Sequence, residues 1–123
     1  MPQTELLFYC DDGSVPVLAW LDDLHRQDRR AYNKCLEVID RLAEFGHELR
    51  RPTADLLQDG IYELRARVGR VNYRILYFFH GRNVAVLAHS LTKEREIPEA
   101  DLTLAIARKT RFQANPKRHT HEE

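Results

Sequence analysis

Arginines dominate the chemistry on offer. Across GIYELRARVGRVNYRILYFFHGRNVAVLAHSLTKER, residues 60–95, seven cations (Arg65, Arg67, Arg70, Arg74, Arg82, Lys93 and Arg95) face two acids, Glu63 and Glu94. The stretch therefore carries +5 in a chain whose formal net charge is zero. A guanidinium is planar and can bind two phosphate oxygens at once, so arginines from neighbouring strands could hold a phosphodiester. Arg65 and Arg67 are two residues apart, the spacing that places both on one side of an extended chain. A solvated strand arginine, or an ion pair with Glu63 or an acid of the last helix, explains these two equally well. Arg74 stands between Tyr73 and Ile75 in an apolar run. A charge there without a partner would be costly, which favours a functional or a tightly paired role.

The remaining candidates each have a plainer reading beside the chemical one. Lys93 and Arg95 fall where a strand gives way to a loop, suited to phosphate contact, although a Lys-Glu-Arg-Glu run also reads as ordinary surface. His89 could shuttle a proton near neutral pH, or be a strand histidine hydrogen-bonded within the fold. Tyr73 and Tyr77 could stack on bases, yet aromatics at strand spacing are core residues first. No ligand cluster suggests a metal, so none is expected, and His119 and His121 receive no role. Cys10 and Cys35 lack metal or redox spacing and read as reduced core residues.

These side chains need a scaffold, and the pattern supplies one. Tyr62, Leu64, Ala66 and Val68 alternate with Glu63, Arg65 and Arg67, a strand with one apolar and one charged face. After a turn at Val68-Gly69-Arg70, the run from Val71 to Phe79 is apolar on both faces and predicts a central strand. His80 to Asn83 turns again, and Val84 to Leu91 is a third apolar run. Loops this short predict an antiparallel meander.

Upstream, Thr4 to Cys10 suits a first strand. Ser14 can cap a helix with Pro16 in its first turn and Val17, Trp20, Leu21 and Leu24 as its stripe. Asp28 caps a longer helix bearing Ala31, Cys35, Val38, Ile39 and Leu42, closed by Gly46. The polar segment from His47 to Asp59 contains Pro52 and predicts a loop with a short helical turn at Ala54 to Leu57. Downstream, Ile97-Pro98-Glu99 opens a helix with Leu102, Ala105 and Ile106 inward, running to about Phe112. The expected fold is α+β with the order β-α-α-β-β-β-α. A helical hairpin covers one face of a small, mainly antiparallel sheet, and the C-terminal helix lies at its edge, leaving the opposite basic face partly open. Residues 1–112 form a single domain; residues 113–123, with no apolar residue beyond Ala114, are expected to be a flexible tail.

At 123 residues the chain can bury one two-layer core without staples. Residues 1–59 hold seven Lys/Arg against twelve Asp/Glu, and residues 60–123 hold twelve against seven. The positive half coincides with the sheet, which favours an anionic partner. No early apolar segment has signal-peptide or membrane-span length, so the cytoplasm is the expected location and no membrane partner is expected.

The run LLQDGIYELRARVGRVNYRILYFF, followed by VLAHSLTKEREIP, resembles the phage Gp49-like, HigB-type branch of the RelE/ParE toxin superfamily. Members carry an "ELR-x-R-x-G…YR" block, then "HGF-x-KK…TP" and a closing helix. The resemblance implies a RelE-like fold and the toxin of a type II toxin–antitoxin system. It implies an endoribonuclease cutting mRNA on the ribosome through 2′-hydroxyl attack without metal or other cofactor, neutralised by a cognate helix-turn-helix antitoxin. Position by position, Arg65 and Arg67 match the family's LR-x-R pair, Tyr73 and Arg74 its YR pair, and Lys93 its first lysine after the fourth strand, with Arg95 one position from the second. The candidates are then Arg65, Arg67, Arg74 and Lys93 for catalysis and Tyr73, His89 and Arg95 for RNA binding. Two departures stand out: Glu94 occupies a position where a second basic residue is common, and the last helix lacks the tyrosine that some RelE-type nucleases place there. They keep a second reading open, a non-catalytic protein of the same fold such as a gyrase inhibitor or an inactive phage-derived interaction module.

Overall fold

A computed structural model describes residues 4–93 and 96–121. The elements are β1 (Glu5–Phe8), α1 (Pro16–Gln27), α2 (Arg29–Phe45), a single 3-10 turn at Gly46–Glu48, β2 (Ala54–Gln58), β3 (Ile61–Val68), β4 (Val71–Phe79), β5 (Val84–Lys93) and α3 (Glu99–Ala114). The five strands form one mixed sheet in the order β1-β5-β4-β3-β2, with β1 parallel to β5 and the other pairs antiparallel. The chain is thus α+β, with β4 in the centre as its two-sided apolar pattern requires.

Four expectations need correction. The segment from Ala54 to Leu57 is not a helical turn but most of a fourth antiparallel strand, so the order gains a β. Asp59 (φ 52°) and Gly60 (φ 76°) both take positive φ, the two-residue turn whose twist matches that of paired strands, and Gln58 and Ile61 pair across it. A Cβ on Gly60 would meet only the movable end of the Lys109 side chain, so it is the positive φ that calls for glycine there. Second, Ser14 does not cap α1. It exchanges backbone hydrogen bonds with Asp11, and Val15 precedes the helix without a side-chain cap. Asp28, by contrast, does cap α2, accepting from the Ala31 N–H at 3.1 Å.

The third correction concerns α3, which is not an edge element. α1 and α2 cover the first face of the sheet, packing Val17, Cys35, Val38 and Leu42 on Leu64, Ala66, Ile75, Tyr77 and Leu87. α3 covers part of the second face, where Ala105 and Phe112 close over Leu76, Phe78, Val86 and Ala88. Phe78 and Phe112 meet edge to face at 5.5 Å. The physical reason is β4 itself: a strand apolar on both sides needs cover on both, and burying each such side chain contributes about 1.5–3 kcal/mol.

The last correction is at the C-terminus. In place of a free tail, Thr120 bridges to Tyr9, the Cys10 and His121 N–H groups bond to the His119 and Phe8 carbonyls, and His119 is buried with its ring stacked on Tyr9 at 5.2 Å. A segment poor in apolar residues is held here by strand-like backbone bonds and one stacked ring.

Candidate functional site

β3 and β4 pair so that Arg65 lies directly opposite Arg74, with Glu63 opposite Leu76. Strand alternation sends Glu63, Arg65 and Arg74 to the second face. Like charges facing each other across a ladder repel, and Glu63 offsets this. Its Oε1 accepts from Arg65 Nη2 at 2.9 Å, and its Oε2 lies 2.9 Å from Arg74 Nη1. The Glu63 and Arg74 side chains are 3% and 9% exposed, whereas Arg65 is 36% exposed. One carboxylate shared by two guanidiniums leaves the trio with a net positive charge, and Arg65 is its accessible member.

The trio floors a cleft of about 410 Å³. Leu56 and Leu57 of β2 wall one side, and Ile97 and Leu102, at the beginning of α3, wall another. Two further acids, Asp55 and Glu96, line it. Asp55 is engaged by Arg51 at 3.1 Å, while Glu96 is exposed. Counting all lining charges, the cleft is not a field of positive potential. What it offers is a preorganised guanidinium pair in a partly desolvated floor with a carboxylate at the rim.

The other sequence candidates scatter. Arg67 is exposed, donates from Nε to the Gly69 carbonyl at 3.0 Å, and lines depressions towards α2 rather than the cleft. Tyr73 lies on the first face beneath α1, its ring 6.3 Å from that of Trp20. Burial, with Asp28 adding to it, raises its phenol pKa. Tyr73 is thus on the opposite side of the sheet from the cleft. His89 sits on the second face but is clamped: Nδ1 faces Arg108 Nη1 at 3.1 Å and Nε2 faces Asp101 Oδ1 at 2.7 Å. Because Arg108 can only donate, Nδ1 accepts and Nε2 carries the proton that Asp101 receives. With both nitrogens engaged, the ring pins α3 to β5 and presents no free nitrogen to a ligand in the cleft. The Lys93 backbone pairs with that of Asn72, which pairs on its other side with Arg67. Arg95 and Glu94 lie outside the described residues.

Sequence reasoning missed Glu96 and Asp55 as lining residues, and it named Glu63 only as one possible ion-pair partner. The ELR spacing signals Glu63, because residues two apart share a strand face. Nothing local signals Asp55 or Glu96, which reach the cleft only once β2 and the start of α3 are in place.

Among the described residues, no cluster of three or more His, Cys, Asp or Glu is placed to hold a metal ion, and no helix is long and apolar enough to cross a membrane. Residues 20–110 match the family described as phage derived protein Gp49-like (DUF891). No curated protein matches the chain.

Proposed function

This chain belongs to the Gp49-like family of phage-derived proteins, a family of RelE/HigB-type toxins, and from that premise we propose that it is the toxin of a type II toxin–antitoxin pair, cleaving mRNA on the ribosome. The observation that carries the reading is the Arg65–Glu63–Arg74 trio at the floor of an open cleft. In this reading Arg65 holds two oxygens of the scissile phosphate, and Arg74, fixed through Glu63, adds charge from beneath. Donors held in place before the reaction stabilise the phosphorane without reorganising. Glu96 is the rim carboxylate that takes the 2′-hydroxyl proton, a role that typically contributes 10²–10⁴-fold. The leaving 5′-oxygen is protonated by water at the cleft mouth, giving a 2′,3′-cyclic phosphate and a new 5′-hydroxyl end. The cognate antitoxin, a helix-turn-helix protein, would silence the toxin by closing this cleft.

The acids lining the cleft favour a second reading, a non-catalytic member of the fold that inhibits gyrase or serves as an interaction module. Mapping mRNA 5′ ends after brief induction separates the two. New 5′-hydroxyl ends within coding regions support the nuclease; growth arrest with intact mRNA and DNA-damage signalling supports the alternative.

A further inference from the structure

A denser cluster of positive charge than the cleft's lies around the corner from it. β2 pairs with β3 only as far as Ala54 opposite Leu64, followed by one bond from the Arg65 N–H to the Thr53 carbonyl at 2.7 Å. Beyond that point the end of β3, from Ala66 to Val68, is a sheet edge. α2 runs beside it and presents Arg30, Lys34, Glu37 and Arg41, residues at i, i+4, i+7 and i+11 along one helix stripe. Two adjoining depressions of about 320 Å³ and 350 Å³ lie between helix and edge, sharing Lys34, Glu37 and Arg67. Five cations line them (Arg30, Lys34, Arg41, Arg65 and Arg67) against one acid, Glu37, and that acid is tied to Lys34 at 2.5 Å. Arg65 lines both this groove and the cleft, and is the residue at which the two adjoin.

We infer that this groove is the track along which the RNA backbone reaches the cleft, with Arg30, Lys34, Arg41 and Arg67 as its phosphate contacts. The inference rests on the nuclease reading given above. Arg30 and Arg41 are eleven residues apart, about 16 Å at 1.5 Å per residue, so the stripe presents spaced charges rather than a point. Four of the five cations are arginines, the side chain suited to phosphate forks. The apolar lining is confined to Val38, Pro52 and Val68, with no aromatic anchor of the kind that centres a protein–protein interface. A phosphodiester strand needs repeated charge and little apolar burial, which is what the groove provides.

The test uses a fluorescein-labelled 2′-O-methyl oligouridylate, which cannot be cut by its own 2′-hydroxyl, titrated with full-length protein at several salt concentrations. Arg30→Gln, Lys34→Gln and Arg41→Gln, combined, change only the outer stripe of α2 and leave its buried residues intact. The triple variant is expected to bind at least about tenfold more weakly. Its slope of log affinity against log salt should flatten by about 2, at about 0.7 for each phosphate no longer neutralised. If the triple variant does not fold, the single Arg30→Gln and Arg41→Gln variants should each flatten the slope by about 0.7. Unchanged affinity and slope in the variants, with the wild type binding, overturns the track. Whether mRNA is still cut then decides the nuclease reading separately. No binding by the wild type at low salt overturns the track, and intact mRNA on induction would overturn the nuclease reading as well.

Discussion

Phe78 and Arg74 project from the same side of β4, four residues apart, yet they live in different worlds. Phe78 is fully buried beneath α3 and against Phe112, whereas Arg74 sits where α3 begins, bonded to Glu63 on the floor of a cleft. The covered half of the second face is closed with aliphatic and aromatic surface, the cheapest way to stabilise a sheet. The uncovered half holds three ionisable side chains, two of them almost without solvent. Buried ion pairs of this kind are often no more stabilising than apolar residues of the same volume. Stability alone therefore does not explain the trio, whereas the phosphate-binding role proposed above would.

The contrast can be broken by substitution. Glu63→Ala removes the carboxylate that two guanidiniums share and should cost about 3–5 kcal/mol in urea unfolding. Glu63→Gln combined with Arg74→Met should cost clearly less than the sum of the single changes, because the two sites are coupled by about 0.5–3 kcal/mol. On the covered half, Phe112→Ala should cost about 3–5 kcal/mol, and its double combination with Arg65→Gln should be additive. Additivity within the trio, or strong coupling between Phe112 and Arg65, would erase the distinction between the halves.

A smaller effect comes from the first face. Burial pushes the Cys35 thiol up to about 12. Above pH ~9 the unfolded chain ionises this thiol while the folded chain does not, so stability should fall by about 1.4 kcal/mol per pH unit towards 12. Cys35→Ala should flatten that alkaline limb in pH-dependent unfolding. The smallest expected change is Arg65→Gln. A side chain more than a third exposed should cost under about 1 kcal/mol, although it is the trio's accessible member.

Much of this was legible in the sequence. The alternation of Tyr62, Leu64, Ala66 and Val68 against Glu63, Arg65 and Arg67 fixes which side chains share a face, and the apolar run of β4 places it centrally. β2 is hidden because Pro52, Asp55 and Gln58 read as loop chemistry, although Asp59-Gly60 is the strongest short hairpin signal a sequence carries. The side taken by α3 was not legible, since an apolar stripe such as Leu102, Ala105 and Ile106 demands cover without naming the surface that supplies it. Arg67 parts from Arg65 because β3 outruns β2 after Leu64, a fact about strand lengths rather than about either arginine. The docking of His119 on Tyr9 joins residues more than a hundred positions apart, with no local pattern to announce it.

The central claim is that Arg65, held by Glu63 at the open end of the second face, binds the scissile phosphate of mRNA. It is tested most directly by mapping 5′ ends after brief induction of the wild type and of Arg65→Gln, with unfolding curves showing both equally folded. New 5′-hydroxyl ends in wild-type cells that disappear with Arg65→Gln are the predicted result. Identical cleavage from both proteins, or growth arrest by the wild type with mRNA intact, would contradict it.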